Sequence, residues 1–312
     1  MTKLKGILLT EGMHGMISQV EGLAKALDLD FTHHTVELNN FWKFLPPKIT
    51  PVSQRVFKKI NTEDFDIIIS CGRKSVIPSI YLKKNSSKKV TNIHIQNPKV
   101  NFINFNYIIA PEHDGLSGAN VFCSKGAIHY LTKKEIDNQK NYLKNKLDNN
   151  KECFSLILGG PTKHYDYSDK NIINILNLFD DLIKKNNLQG IVIPSMRTPK
   201  NIISLSKNKL GSNSLVIENV DKKAYLSALS LAKYIAITCD STSMISEAAL
   251  TGKPIYVANI PTKKNDYRIK KFKELFTKLN IIKKLDKELE TWHYEILDET
   301  SNVAKKIKKE LI

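Results

Sequence analysis

Short apolar runs alternate with helix-like segments along almost the whole chain, and no other feature limits the possible folds as strongly. Ile7–Thr10, Phe31–Leu38, Ile67–Ser70, Thr91–Ile95, Tyr107–Ala110 and Asn120–Phe122 read as strands. Ile17–Leu27, Ser75–Lys83 and Lys133–Leu147 read as helices between and after them. A polar, turn-rich stretch, Leu147-Asp148-Asn149-Asn150-Lys151, then interrupts the pattern and is the expected linker. After it the alternation restarts. Strands are expected at Phe154–Leu158, Gly190–Pro194, Ser214–Ile217, Tyr234–Thr238 and Pro254–Val257. Helices are expected at Asn171–Lys185, Ile202–Lys207, Lys222–Ala232, Ser243–Leu250, Lys270–Leu279 and Val303–Leu311. Strands that alternate with helices argue for parallel sheets covered by helices. The expectation is two Rossmann-like α/β domains, residues 1–150 and 151–312, facing a cleft.

In open parallel sheets, ligands bind beyond the carboxyl ends of the strands. Chemistry-bearing residues collect there in this chain. The first strand is followed by Thr10-Glu11-Gly12-Met13-His14-Gly15 and the third by Cys71-Gly72-Arg73-Lys74-Ser75. Later strands lead into Gln96-Asn97-Pro98-Lys99, Pro111-Glu112-His113-Asp114-Gly115, Gly159-Gly160-Pro161-Thr162-Lys163-His164, Ser195 with Arg197, and Asp240-Ser241-Thr242-Ser243.

The most informative unit runs from Asp240 to Pro254. Hydroxyls at Ser241, Thr242 and Ser243 suit a helix start, whose first N–H groups lack internal partners and whose dipole favours an anion. Glu247 lies about one turn further on, where its carboxylate can accept from a ribose or sugar hydroxyl. The same residues would equally serve as an N-cap with a solvated glutamate. Gly252-Lys253-Pro254 ends the helix and opens the next strand.

Gly12 and Gly15 allow a tight turn close to a ligand, but they do not form GxGxxG, and a nicotinamide cofactor is disfavoured. His14 has the chemistry of a general base on an acceptor hydroxyl. Gly159, Gly160 and Thr162 offer backbone donors and a hydroxyl to phosphate, without the Walker A spacing. Arg197 suits bidentate contact with a diphosphate. Glu112-His113-Asp114 is a tight acid–base cluster with no further ligand residues to suggest a metal. His94 and the pair His33-His34 lie on strands and read as structural.

The segment from Asn40 to Lys48 differs in kind. Phe41, Trp42 and Phe44 alternate with Lys43, then Pro46, Pro47 and Lys48, and the basic character continues to Arg55, Lys58 and Lys59. Exposed aromatics beside lysines suit a membrane interface or an apolar acceptor, and Trp42, Lys43 and Phe44 are its centre. The alternative is a loop whose aromatics pack inward.

Composition limits the remaining classes. The chain is 41% hydrophobic and 25% charged, as in ordinary globular proteins. No apolar run approaches the ~18 residues of a spanning helix. The first run, Ile7-Leu8-Leu9, is shorter than the ~7–15 residues of a signal-peptide core, so a cytoplasmic location is expected. Cys71, Cys123, Cys153 and Cys239 are widely spaced and read as buried free thiols. The net charge is +17. It reflects either the Lys- and Asn-rich usage of AT-rich genomes or a real anionic partner, such as a membrane surface. A specific nucleic-acid role ranks below both, because aromatics do not interleave with the basic runs.

Taken together, these residues resemble the bacterial branch of the mitochondrial fission ELM family. The resemblance is carried by Thr10-Glu11-Gly12-Met13-His14-Gly15 through Gln19 and Gly22-Leu23-Ala24, by Phe41-Trp42-Lys43-Phe44-Leu45-Pro46-Pro47, and by Cys71-Gly72-Arg73. It continues through His94-Ile95-Gln96-Asn97-Pro98, Ala110-Pro111-Glu112-His113-Asp114, Gly126-Ala127-Ile128-His129, Leu158-Gly159-Gly160-Pro161 and Thr242-Ser243-Met244-Ile245-Ser246-Glu247-Ala248. Members often carry a more polar first loop, where Glu11 and Met13 stand here. The resemblance implies a glycosyltransferase-B type fold and a final helix that returns to the first domain. It implies no single reaction, and the plant members' association with mitochondrial division does not transfer to a bacterium.

Two functions are therefore expected to compete. One is a sugar-nucleotide-dependent transferase at the inner membrane face, with the nucleotide sugar as co-substrate and no covalent cofactor. Gly160, Thr162, Arg197, Ser241, Thr242, Ser243 and Glu247 would hold the donor, and His14, Arg73 and Glu112 would serve the acceptor. The other is a non-catalytic membrane-associated adaptor on an inherited fold.

Overall fold

A computed structural model describes residues 3–61 and 64–311. The chain packs as two units, one of residues 1–130 with 298–312 and one of residues 131–297.

Unit 1 is built on a parallel sheet. Its strands are β1 (Lys5–Thr10), β2 (Asp30–Thr35), β3 (Ile67–Cys71), β4 (Thr91–Ile95), β5 (Tyr107–Pro111) and β6 (Val121–Ser124), in the spatial order β2-β1-β3-β4-β5-β6. Helix α1 (His14–Ala26) follows β1, and α2 (Val76–Lys84) follows β3. The Ile67-Ile68-Ile69-Ser70-Cys71 run of β3 is buried at every position. A run this short with a single small polar residue and no alternation suits a strand with both faces covered. On one face Leu8, Ile67, Ile69, Ile93 and Ile109 pack against Val20, Leu23 and Ala24 of α1. On the other, Ile7, Leu9 and Ile68 pack with Val36 and Val90.

Unit 2 opens with α3 (Lys133–Asn138) and α4 (Asn141–Lys144), followed by β7 (Cys153–Leu158), α5 (Asp169–Lys185), β8 (Gln189–Pro194), α6 (Lys200–Leu210), β9 (Ser214–Val216), α7 (Lys222–Leu231), β10 (Ala232–Thr238), α8 (Thr242–Ala248), β11 (Ile255–Ala258), α9 (Tyr267–Lys278) and β12 (Ile282–Lys284). The sheet order is β12-β11-β10-β7-β8-β9, and every pairing is parallel. Helix α5 shows the expected periodicity: Ile172, Ile175, Leu176, Phe179, Leu182 and Ile183 form one buried stripe. The last helix, α10 (Glu299–Leu311), packs in unit 1. Val303, Ala304 and Ile307 join the core under α1. Thr300 Oγ1 accepts the N–H of His129 at 2.9 Å and donates to its carbonyl at 2.8 Å.

The division between units falls at Tyr130/Leu131, ahead of the polar stretch at 147–151. The expected single helix Lys133–Leu147 is two short helices that pack on α7. Thr132 and Glu135 cap α3 reciprocally. Ser227 of α7 explains the break. Its hydroxyl donates to Lys140 O at 3.1 Å and accepts the N–H of Leu143 at 3.1 Å, which satisfies groups that a continuous helix would have paired internally. Strand β12 was not expected, since Ile282-Lys283-Lys284 has no alternation to mark it. Three of the four free thiols are buried, and Cys123 is half-buried. Among the described residues, no helix is long and apolar enough to cross a membrane.

Candidate functional site

Strand order decides where a ligand can sit in each sheet. In unit 2 the chain runs from β7 outward through β8 and β9, then returns to lay β10 on the other side of β7. The loops after β7 and β10 thus leave in opposite directions, and the gap between them is the topological switch point where open α/β sheets bind ligands. Three of the expected clusters meet there: Gly159–His164 after β7, Ser195–Arg197 after β8, and Asp240–Ser243 after β10.

Their contacts are close and specific. Gly159 N–H donates to Thr238 Oγ1 at 2.7 Å, and Gly160 N–H donates to Asp240 Oδ2 at 3.1 Å. A Cβ on Gly159 would lie 2.1 Å from Asp240 Oδ2, and one on Gly160 would lie 2.1 Å from the Arg197 carbonyl. The two glycines therefore let three loops approach each other, and their N–H groups, expected for a ligand, are taken internally. Tyr167 OH donates to Gly159 O at 3.1 Å. Thr162 Oγ1 accepts the N–H of His164 at 3.2 Å.

Arg197 is held from one side. Its Nη1 donates to Gly160 O at 3.1 Å and its Nη2 to Asp240 Oδ2 at 2.7 Å. The Asp240 side chain is fully buried, whereas that of Arg197 is 42% exposed. The guanidinium thus has donors left on its outer edge. Asp240 Oδ1 is buried without a hydrogen-bond partner among the described residues. Asp240 organises the site, yet sequence reasoning did not count it among the ligand contacts. Its one signal was position: an acidic residue two places after a strand whose last five residues are all buried.

Ser241 caps α8 by accepting the Met244 N–H at 3.4 Å, so its hydroxyl is engaged as an N-cap. Thr242 and Ser243 begin the helix and are half-buried. One turn on, Glu247 Oε2 accepts the Tyr225 hydroxyl at 2.7 Å. Burial pushes the Glu247 carboxyl up to about 7, against the opposing pull of Tyr225 and Lys222. Lys253 bonds the carbonyls of Leu229 and Ser230 at the end of α7. Burial lowers its ammonium to about 8.

Unit 1 has its own switch point, between β1 and β3. Glu11 Oε1 accepts the N–H of Lys74 at 3.0 Å, and Oε2 lies 3.4 Å from Lys74 Nζ. Gly72 turns the chain here at φ 92°, where a Cβ would meet Met16 Sδ at 2.7 Å. Gly12 N–H donates to Thr10 Oγ1 at 3.0 Å, and the space around Gly15 is open. His14 is exposed at the start of α1, with Tyr130 OH 3.5 Å from its Nε2. His94 is buried and bonded through Nδ1 to Ser70 Oγ at 2.9 Å, and burial lowers its pKa to about 3.

Other expected site residues lie elsewhere. Arg73 donates to the carbonyls of Leu45 (2.8 Å) and Lys43 (2.7 Å), so its fork braces the 42–45 turn while the rest of the exposed side chain keeps donors to spare. Glu112 is exposed after β5, while His113 and Asp114 turn inward, with His113 Nε2 3.8 Å from Asp114 Oδ1. β5 stands three strand spacings from β1 in the sheet, about 14 Å at roughly 4.8 Å each. His14 and Glu112 thus sit beyond well-separated strands. Trp42 is half-buried against Val56, Phe57 and Ile77. Lys43 and Phe44 face out.

The sequence matches the family model described as mitochondrial fission ELM1 over residues 14–311. The chain belongs to that family. Protein RP120 of Rickettsia prowazekii (strain Madrid E) is 26% identical, in an alignment covering 94% of this chain and 95% of that one. Mitochondrial fission protein ELM1 of Arabidopsis thaliana is 21% identical over 78% of this chain and 64% of its own length. Among solved structures, UDP-GlcNAc 2-epimerase from Neisseria meningitidis, bound to UDP-GlcNAc, covers 99% of each chain at 14% identity with a TM-score of 0.55. At that identity the likeness is one of fold. This ELM1-family chain has the two Rossmann-like units of the glycosyltransferase-B type.

Proposed function

We propose that this family member binds a sugar nucleotide at the β7/β10 edge of unit 2 and uses it as the donor in glycosyl transfer at the inner face of the cytoplasmic membrane. One observation carries the reading: the pinned Arg197 keeps unused donors, and its partner Asp240 directly precedes a helix start that carries the hydroxyls of Thr242 and Ser243, with Glu247 one turn further on. A diphosphate would take the guanidinium edge and the hydroxyls. Glu247, once ionised, would accept from a ribose hydroxyl in place of Tyr225. Binding of UDP-GlcNAc by a protein of the same fold supports a nucleotide of this class. In transfer, negative charge grows on the departing diphosphate, where fixed donors stabilise it most. On the acceptor side, His14 would serve a hydroxyl as base, and Arg73 and Glu112 stay exposed beyond other strand ends of the same sheet.

The test is thermal shift of the purified chain across nucleoside diphosphates and their sugars, followed by release of the free diphosphate in the presence of lipid acceptors. A shift with at least one uridine diphosphate sugar, lost in Arg197→Ala, is expected. No shift with any member of the panel would sink the reading.

The adaptor reading has one observation in its favour. The Gly159 and Gly160 N–H groups and the inner edge of Arg197 are already satisfied within the protein, so the three loops hold together without a ligand. Vesicle binding without any nucleotide-dependent shift would support it.

A further inference from the structure

Four of the large apolar side chains left open to solvent fall within one twelve-residue stretch: Phe41 at 66% exposed, Phe44 at 78%, Ile49 at 62% and Val52 at 38%. The other exposed apolar residues are scattered singly, which is ordinary for a protein surface. Residues 38–61 contain Lys43, Lys48, Arg55, Lys58 and Lys59 and no Asp or Glu.

This exposure is enforced by the backbone. Asn39 N–H donates to Val56 O at 2.9 Å, and Asn39 Nδ2 donates to Arg55 O at 2.8 Å. Trp42 N–H returns to Asn39 O at 2.9 Å, and Thr50 Oγ1 donates to Pro46 O at 2.9 Å. Arg73 pins the carbonyls of Lys43 and Leu45. Pro46, Pro47 and Pro51 fix φ at three further points. Trp42 is the anchor, wedged against Val56, Phe57 and Ile77, and its ring meets that of Phe41 edge-on at 5.1 Å. A loose loop would turn its apolar side chains inward, because each buried one gains hydrophobic free energy. This loop is tied so that Phe41, Phe44 and Ile49 cannot follow Trp42.

We infer that residues 41–52 form an interfacial docking surface for an anionic lipid bilayer, with Phe41, Phe44 and Ile49 entering the headgroup–acyl boundary and Lys43 and Lys48 meeting lipid phosphates. This rests on the membrane-face placement proposed above and names the residues that would achieve it. The chemistry matches on both counts. Apolar side chains at a rigid tip can enter the boundary region without ordering cost, and lysines beside them extend their charged ends to the headgroups. The absence of any carboxylate in 38–61 suits a negative surface and would waste the cations against a neutral apolar groove. A single-stranded nucleic acid fits less well. It needs open aromatic faces, whereas half of this set is aliphatic and Lys43 Nζ sits 5.2 Å over the Phe44 ring.

The experiment is co-sedimentation of the full chain, without nucleotide, with vesicles of phosphatidylcholine alone or with phosphatidylglycerol added. Phe41→Ser with Phe44→Ser, and Lys43→Ser with Lys48→Ser, are compared at equal melting temperature. Wild type is expected on the anionic vesicles. The aromatic pair should weaken binding at least about tenfold on any vesicle that binds, since its contribution is apolar burial. The lysine pair should weaken it about tenfold or more on anionic vesicles only, and added salt should shrink that difference. Wild type remaining in the supernatant, or both variants binding like wild type, overturns the inference. So does a loss seen only when polyuridine takes the place of the vesicles in a parallel binding assay. Thermal shift with uridine diphosphate, run on the same preparations, separates the two proposals: failure on vesicles with the shift intact removes only the docking surface.

Discussion

The Arg197 guanidinium lies 2.7 Å from Oδ2 of the buried Asp240 carboxylate, and the carboxylate's second oxygen has no hydrogen-bond partner among the described residues. The pair joins the loops after β8 and β10 across β7. Because Asp240 is buried and Arg197 is half in solvent, the two halves of the pair are unequal. Arg197→Ala strands a buried charge, which costs about 3–5 kcal/mol when no water can reach it. Asp240→Asn leaves a cation that solvent can partly satisfy, and about 1–3 kcal/mol is expected. Urea unfolding should therefore rank Arg197→Ala as the less stable, and the double variant should recover part of the loss. Equal effects would show that the pair does not act as drawn.

Glu247 gives a pH signature. Its folded pKa is raised from 4.5 to about 7 by burial, so the folded state holds a proton that the unfolded chain releases earlier. The stability contributed by the protonated form is complete below the unfolded value and is lost as pH climbs through about 7. Glu247→Gln should thus be more stable than wild type near pH 8, by on the order of 2 kcal/mol, with the gap closing near pH 4. A gap that widens on acidification would refute the assignment. Sugar-nucleotide affinity should run the other way, rising with pH as the carboxylate ionises.

The glycines divide into required and tolerant positions. Gly160→Ala places a Cβ against the Arg197 backbone, which cannot swing aside, and a loss of about 1–3 kcal/mol is expected. Gly15, in the first turn of α1, has nothing within 4 Å of such a Cβ. Gly15→Ala should be neutral or stabilise by up to about 1 kcal/mol through helix propensity. Thermal melts of the two variants decide it.

Removing the Arg73 fork should loosen one turn without unfolding the unit. In Arg73→Gln, the carbonyls of Lys43 and Leu45 lose their donors. Hydrogen exchange should accelerate across 41–45, trypsin should cut sooner after Lys43, and global stability should fall by about 1 kcal/mol. Unchanged exchange in this segment would show that Trp42 alone holds it.

Much of this architecture was legible before any coordinates. Runs such as Ile67–Ser70 and Phe154–Leu158 are apolar but for one serine each, and such short continuous runs suit a strand covered on both faces. The ligand-type residues after β1, β7 and β10 were placed correctly at strand ends, because strand termination is local. What escaped was pairing at a distance. Nothing near Arg73 shows that its fork belongs to Lys43 and Leu45, thirty and twenty-eight residues away. Nothing near Lys140 shows that Ser227 will break the helix. His14 and Glu112 were grouped by chemistry, while β3 and β4 separate the strands that carry them.

The sequence alone, then, determined the alternation of elements, their burial and the end of each strand at which chemistry gathers, since all three follow from hydrophobic period and turn residues read a few positions at a time. Only the tertiary structure decided which strand ends are neighbours. Laying β10 beside β7 brings Asp240 to Gly160 and Arg197, eighty and forty-three residues apart in the chain. That order is set by which apolar faces bury one another and by backbone approaches that only glycine permits, and neither is written in any short window of residues.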